Sequence, residues 1–132
     1  MWNKKILLAD DDQDDREFIR EMLEFMDNDV RVDCVPNGQE VFDYLANCSP
    51  NNFPNLILLD YKMPMMNAGE VLEKMQRQRL YGKIPKVVWS TSDEQTHINR
   101  CLNAGALRYF VKPITASGLK AIAGEILELC ND

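Results

Sequence analysis

The chain has one histidine, His97, and no two of its four cysteines stand in C-x-x-C spacing. Tetrahedral zinc centres draw on paired Cys and His ligands, so none is expected. No apolar stretch approaches the roughly 20 residues that a membrane span needs. The opening MWNKKILLADDD carries basic residues, but its apolar run is only Ile6–Ala9, too short for the core of a signal peptide. Cys34, Cys48, Cys101 and Cys130 are therefore expected as reduced thiols of a cytoplasmic protein, most of them filling its core. Basic residues are also in deficit: 15 Lys and Arg against 21 Asp and Glu give a formal net charge of −6. Nucleic-acid binding needs a basic footprint, so the partner expected here is a basic protein surface or a metal ion. There is no Pro/Gly/Ser-rich linker and no low-complexity segment to divide the 132 residues. That length closes one hydrophobic core without staples, and residues 1–132 are read as a single domain with no output domain after them.

What the chain does have is an alternation of two patterns. Ile6–Ala9 is a short apolar run, and DDREFIREMLEFM then puts Phe18, Ile19, Met22, Leu23 and Met26 on one helical face, capped by Asp14 or Asp15. Val30–Val35 alternates apolar and polar like a half-covered strand. PNG interrupts, and Val41, Phe42 and Leu45 begin a second helical stripe. Leu56–Leu59 is continuously apolar and ends in Asp60. Asn67 with Glu70 three residues on predicts an N-cap and capping box, with Val71, Leu72 and Met75 as the buried stripe of a third helix. IPKVVWSTS predicts a fourth strand, DEQTHINRCLNAG a fourth helix stopped by Gly105, and LRYFVKP a fifth strand. Leu119, Ile122, Ala123, Ile126 and Leu127 mark a fifth helix. Continuous apolar strands alternating with helices predict a parallel sheet covered on both faces. Right-handed crossovers then favour the doubly wound, flavodoxin-like strand order 2-1-3-4-5.

In such a sheet every strand's C-terminal end lies on one edge, where open α/β folds place their sites. The residues that follow each strand are informative. The first strand runs into Asp10 and Asp11, the third into Asp60, the fourth into Ser90 and Thr91, and the fifth into Lys112 and Pro113. The second, an edge strand, ends in nothing reactive. Carboxylates crowded at one rim repel one another and resist losing water. A hard divalent cation with oxygen ligands, Mg²⁺ or Mn²⁺, relieves both costs. An ammonium and a hydroxyl beside it would clamp the equatorial oxygens of a transferring phosphoryl group. One carboxylate can itself be the nucleophile, and Asp60, ending the most buried strand at the sheet centre, is the candidate.

ILLADDD, LILLDYKMP, VVWSTS and YFVKP also carry a family resemblance: in order and spacing, over nearly the whole chain, they resemble the receiver domain of two-component response regulators. The chain looks like the stand-alone type, similar to the chemotaxis response regulator, and the CheY-like fold is implied. By that resemblance Asp10 and Asp11 bind Mg²⁺, Asp60 accepts the phosphoryl group, and the main-chain carbonyl of Lys62 completes the metal site. Ser90 becomes the switch hydroxyl, Lys112 the phosphate-contacting lysine and Tyr109 the aromatic switch, which swings inward when the phosphoryl group draws Ser90. The Lys112–Pro113 bond is cis in relatives. Asp12 is read as opening the loop into the first helix, although three consecutive acids leave the register open by one residue. The partners implied are a sensor histidine kinase or a histidine phosphotransfer protein. A downstream protein is expected on the face made by the fourth helix, fifth strand and fifth helix.

The chain departs from its relatives in places. Ala68 stands where glycine is usual, Thr91 where a smaller residue is frequent, and Lys62 and Ser92 fill two variable places that tune phosphoryl lifetime. Met63, Met65 and Met66 are read as loop packing, Trp89 as core, and His97 as a surface residue. A lone histidine argues against the chain being a phosphohistidine carrier. The alternative function is an Asp-nucleophile phosphohydrolase on a similar fold, but that class wants a second Asp where Lys62 stands. A flavin carrier would not put acids where the FMN phosphate must sit. The reading is therefore of a phosphoacceptor signalling module that catalyses only its own phosphorylation and dephosphorylation.

Overall fold

A computed structural model describes residues 3–131. Five strands, β1 (Lys4–Ala9), β2 (Val30–Val35), β3 (Leu56–Asp60), β4 (Lys86–Ser90) and β5 (Arg108–Val111), pair in parallel in the order β2-β1-β3-β4-β5. The helices between them are α1 (Gln13–Met26), α2 (Gly38–Ala46), α3 (Ala68–Gln76), α4 (Arg79–Gly82), α5 (Gln95–Asn103) and α6 (Ala116–Asn131). Among the described residues no helix is long and apolar enough to cross a membrane.

The continuous apolar runs are explained by two separate cores. Leu7, Leu59 and Val88 face one way, onto Val41 and Leu45 of α2, Val71 and Leu72 of α3 and Cys101 of α5. Ile6, Leu8, Leu58 and Trp89 face the other way, onto Ile19 and Leu23 of α1 and Ile126 of α6. Because side chains alternate along a strand and both faces are covered, β1 is apolar from Ile6 to Ala9 and β3 from Leu56 to Leu59. Each fully buried Leu or Ile there contributes about 1.5–3 kcal/mol over leaving it in water.

Several local expectations are corrected. Asp12, not Asp14 or Asp15, caps α1: its carboxylate accepts the Asp15 N–H at 2.9 Å. Asp14 and Asp15 fall inside the first turn, where their charge suits the helix dipole. Phe18 is 60% exposed, because it lies about 100° round the helix from Ile19. β5 is a half-covered edge strand and not a buried one. Of the cysteines only Cys101 and Cys130 are buried; Cys34 is exposed and Cys48 half-buried. The helical turn α4 and a 3-10 turn at Pro50–Asn52 are additional elements, too short to show a period. The capping box forms: Asn67 accepts from Glu70 N–H at 2.8 Å, and Glu70 accepts from Asn67 N–H at 3.1 Å.

Candidate functional site

The parallel register brings the ends of β1, β3 and β4 level. Asp10, one residue past β1, is fully buried, and Asp60, the last residue of β3, is nearly so. Asp11 beside them is exposed. Asp10, Asp11 and Asp60 each present one carboxylate oxygen within 4.8 Å of the others. Asp10 is held firmly: one carboxylate oxygen accepts the Asp12 N–H at 2.9 Å, and its main-chain carbonyl accepts from Arg16 Nη1 at 2.7 Å.

Lys112 follows β5 directly. Its ammonium lies 2.8 Å from Asp10 Oδ2, 2.8 Å from Asp15 Oδ2 and 3.4 Å from Asp60 Oδ2. The cis bond expected after it is absent: all peptide bonds among the described residues are trans. The reach of Lys112 comes instead from strand register. Val111 pairs with Ser90, and the Lys112 N–H donates to the Ser90 carbonyl at 2.7 Å, which carries the side chain across the end of β4. The ammonium also sits 4.7 Å from the centroid of the Trp89 ring.

The electrostatics follow from burial. Loss of water and the neighbouring Asp10 carboxylate push Asp60 up to about 7, against the opposing pull of Lys112. Burial works against the charge on Lys112, but hydrogen bonds to Asp10 and Asp15 and the field of Asp60 outweigh it, and its pKa is raised. One cation thus serves three carboxylates, with Asp11 open to solvent beside them. A hard divalent cation fits this donor set: oxygen ligands only, an excess of negative charge, and an open side for water.

Ser90 is fully buried, and its hydroxyl oxygen accepts the Ser92 N–H at 3.1 Å. Tyr109 has a half-buried ring packed on the core beside α5, and its hydroxyl donates to the Ser92 carbonyl at 2.8 Å. Lys62 has an exposed side chain. Ala68 is accommodated as the first residue of α3, and the positive φ of this loop falls at Met65 instead, at 73°. Met63 is buried, Met66 half-buried and Met65 exposed, so only part of the methionine cluster packs.

These are strand ends of a 2-1-3-4-5 sheet, with buried acids on β1 and β3 and a lysine after β5. Residues 6–123 match the response regulator receiver domain. The chain belongs to that family. The receiver is 32% identical over 122 residues to the two-component response regulator ORR5 of Oryza sativa subsp. japonica, covering 92% of this chain and 87% of that protein. Among solved structures it resembles the phosphorylated cyanobacterial phytochrome response regulator RcpA, with a TM-score of 0.87 and 32% identity, over 98% of this chain and 94% of that one. It also resembles the Mn²⁺-bound response regulator Rcp1, with a TM-score of 0.81 and 26% identity, over 93% and 91% of the two chains.

Three residues of this receiver site escaped the reading of the sequence. Asp15 and Arg16 reach back from the first turn of α1 to Lys112 and Asp10. The spacing of one helical turn after the acid run is the signal that points to them. His97 is not a free surface residue: it is half-buried against the β3–α3 loop, its ring stacked on Tyr61 at 4.1 Å and 16°.

Proposed function

We propose that Asp60 accepts a phosphoryl group from a phosphohistidine of a sensor kinase or phosphotransfer protein. One observation carries this most: the Lys112 ammonium stands between Asp10 and Asp60 at a buried acidic rim. A carboxylate oxygen of Asp60 attacks phosphorus, the new O–P bond forms, and the P–N bond breaks. The departing imidazole keeps the electron pair and takes up a proton. The Lys112 ammonium and the Ser90 hydroxyl supply donors for the phosphoryl oxygens. Asp10, Asp11, Asp60 and the Lys62 carbonyl would hold Mg²⁺, with Mn²⁺ also suited. When bound, the ion supplies positive charge against the carboxylates and the phosphoryl oxygens.

The phosphohydrolase alternative gains nothing from the fold. Lys62, with its exposed side chain, supplies no general acid two residues after Asp60. In our reading the chain turns over no substrate besides its own phosphoryl group, and it works in the cytoplasm. Exposed Leu102, Leu107 and Val111 make the α5–β5–α6 face apolar enough to receive a downstream protein. Tyr109, hydrogen-bonded to the Ser92 carbonyl, is the ring through which that face would respond. The test is intact mass after incubation with Mg²⁺ and acetyl phosphate. The wild type gains one phosphoryl group and Asp60→Asn gains none; equal labelling of the two would overturn the assignment.

A further inference from the structure

Ser92 joins the site to the face that responds to it. Its N–H donates to the Ser90 hydroxyl at 3.1 Å, and its carbonyl receives the Tyr109 hydroxyl at 2.8 Å. Ser92 lies in an irregular loop between β4 and α5, where no ladder fixes the direction of that carbonyl. Its side chain is nonetheless buried, and what holds it is His97. The imidazole Nδ1 lies 2.7 Å from Ser92 Oγ, and Nε2 lies 3.0 Å from a carboxylate oxygen of Glu94. Ser92 Oγ also accepts the Glu94 N–H at 3.3 Å. All of these groups are satisfied at once when Nε2 carries the proton, Nδ1 accepts from the Ser92 hydroxyl, and Glu94 accepts from Nε2. One face of the imidazole is covered by the Tyr61 ring, stacked at 4.1 Å. Tyr61 is the residue directly after Asp60.

We propose that His97 is a positioning residue of the switch: clamped between Tyr61 and Ser92, it fixes the β4–α5 loop so that the Ser92 carbonyl receives Tyr109. The contacts run from the backbone of the phosphoacceptor, through Tyr61, His97 and Ser92, to Tyr109, without passing through the Ser90 side chain. A shift of the β3–α3 loop would therefore reach Tyr109 by this route as well as through Ser90. The clamp rests on the family reading only in what Tyr109 is for.

A double-mutant cycle on the full chain tests it by equilibrium unfolding. Tyr109→Phe removes one hydrogen bond and should lower the folding equilibrium constant about 5-fold in the wild-type background. His97→Phe keeps a ring on Tyr61 but loses the bond to Ser92; in that background Tyr109→Phe should cost less than about 2-fold, because the carbonyl is no longer aimed. His97→Asn, whose amide oxygen can stand near the place of Nδ1, should restore most of the 5-fold cost. Ser92→Ala breaks the same bond from the other end and should behave like His97→Phe, which covers the case of a ring that does not fit. If Tyr109→Phe costs the same in all four backgrounds, or if His97→Asn is as impaired as His97→Phe, His97 does not position the switch. No phosphoryl donor enters the measurement, so a failure of Asp60 labelling and a failure of the clamp are separate results.

Discussion

The two edges of the sheet are made of the same strands and treat charge in opposite ways. Among the described residues, the buried polar residues Asp10, Asp60, Ser90 and Ser92 all sit at the C-terminal edge, and Lys86 alone sits at the other. At the N-terminal edge charges are matched: Lys4 pairs with Asp27 and Arg108 with Glu125, each at 3.9 Å, and other polar groups meet main chain or amide. Lys86 donates to the Gly82 carbonyl at 3.2 Å, Lys5 Nζ to the Asn52 carbonyl at 2.7 Å, and the Lys5 N–H to Asn55 at 2.8 Å. At the C-terminal edge carboxylates face carboxylates across a single ammonium. The N-terminal edge is built to be stable as it stands. The C-terminal edge keeps an electrostatic tension that a bound cation can relieve, which is how a site stays responsive.

Removing one lysine from each edge is the sharpest way to break this contrast. Lys112→Met leaves two buried carboxylates without their cation and should cost about 3 kcal/mol in urea unfolding at pH 8 without metal. Lys86→Met removes a cation whose pKa burial has already lowered, and should cost less than about 1 kcal/mol. Equal costs would erase the distinction.

The next largest effect has the opposite sign. Asp60→Asn should stabilise the metal-free protein by on the order of 2 kcal/mol at pH 8. The pH dependence follows from the raised carboxyl. Burial and Asp10 lift Asp60 from the ordinary aspartate value of 3.8 to about 7 in the folded state. Its contribution to stability is complete below the unfolded value and is lost as pH rises through the folded one. The gap between Asp60→Asn and wild type should therefore open between about pH 4 and 7 and stay level above. Millimolar Mg²⁺ should close it, by binding only the folded wild type. A gap independent of pH would mean that Asp60 is not under tension.

Much of this edge was legible in the sequence, because apolar runs ending in Asp10, Asp60, Ser90 and Lys112 announce both the strands and what they carry. The sheet order followed from the alternation of elements. What stayed hidden depends on contacts between distant segments. Lys112 meets Asp15 across 97 residues, and His97 meets Tyr61 across two loops; no local pattern encodes either. Phe18 belongs to a five-residue apolar stripe that is wider than the face that Ile19 and Leu23 bury. The cis bond was inherited from relatives with no residue here demanding it.

A satisfied polar group at the same edge sharpens the contrast with a smaller effect. Asn67→Ala removes the cap of α3 and should cost about 1 kcal/mol. Unlike the Asp60 effect, that loss should be the same at pH 5.5 and pH 8, and indifferent to Mg²⁺. Thermal unfolding at the two pH values, with and without the ion, checks it.

The carboxyl titration of Asp60, followed by ¹³C NMR with and without Mg²⁺, tests the tension most directly. We predict a metal-free midpoint near 7, falling by more than one unit when Mg²⁺ is added. A metal-free midpoint near the ordinary aspartate value of about 4, unmoved by the ion, would contradict the account.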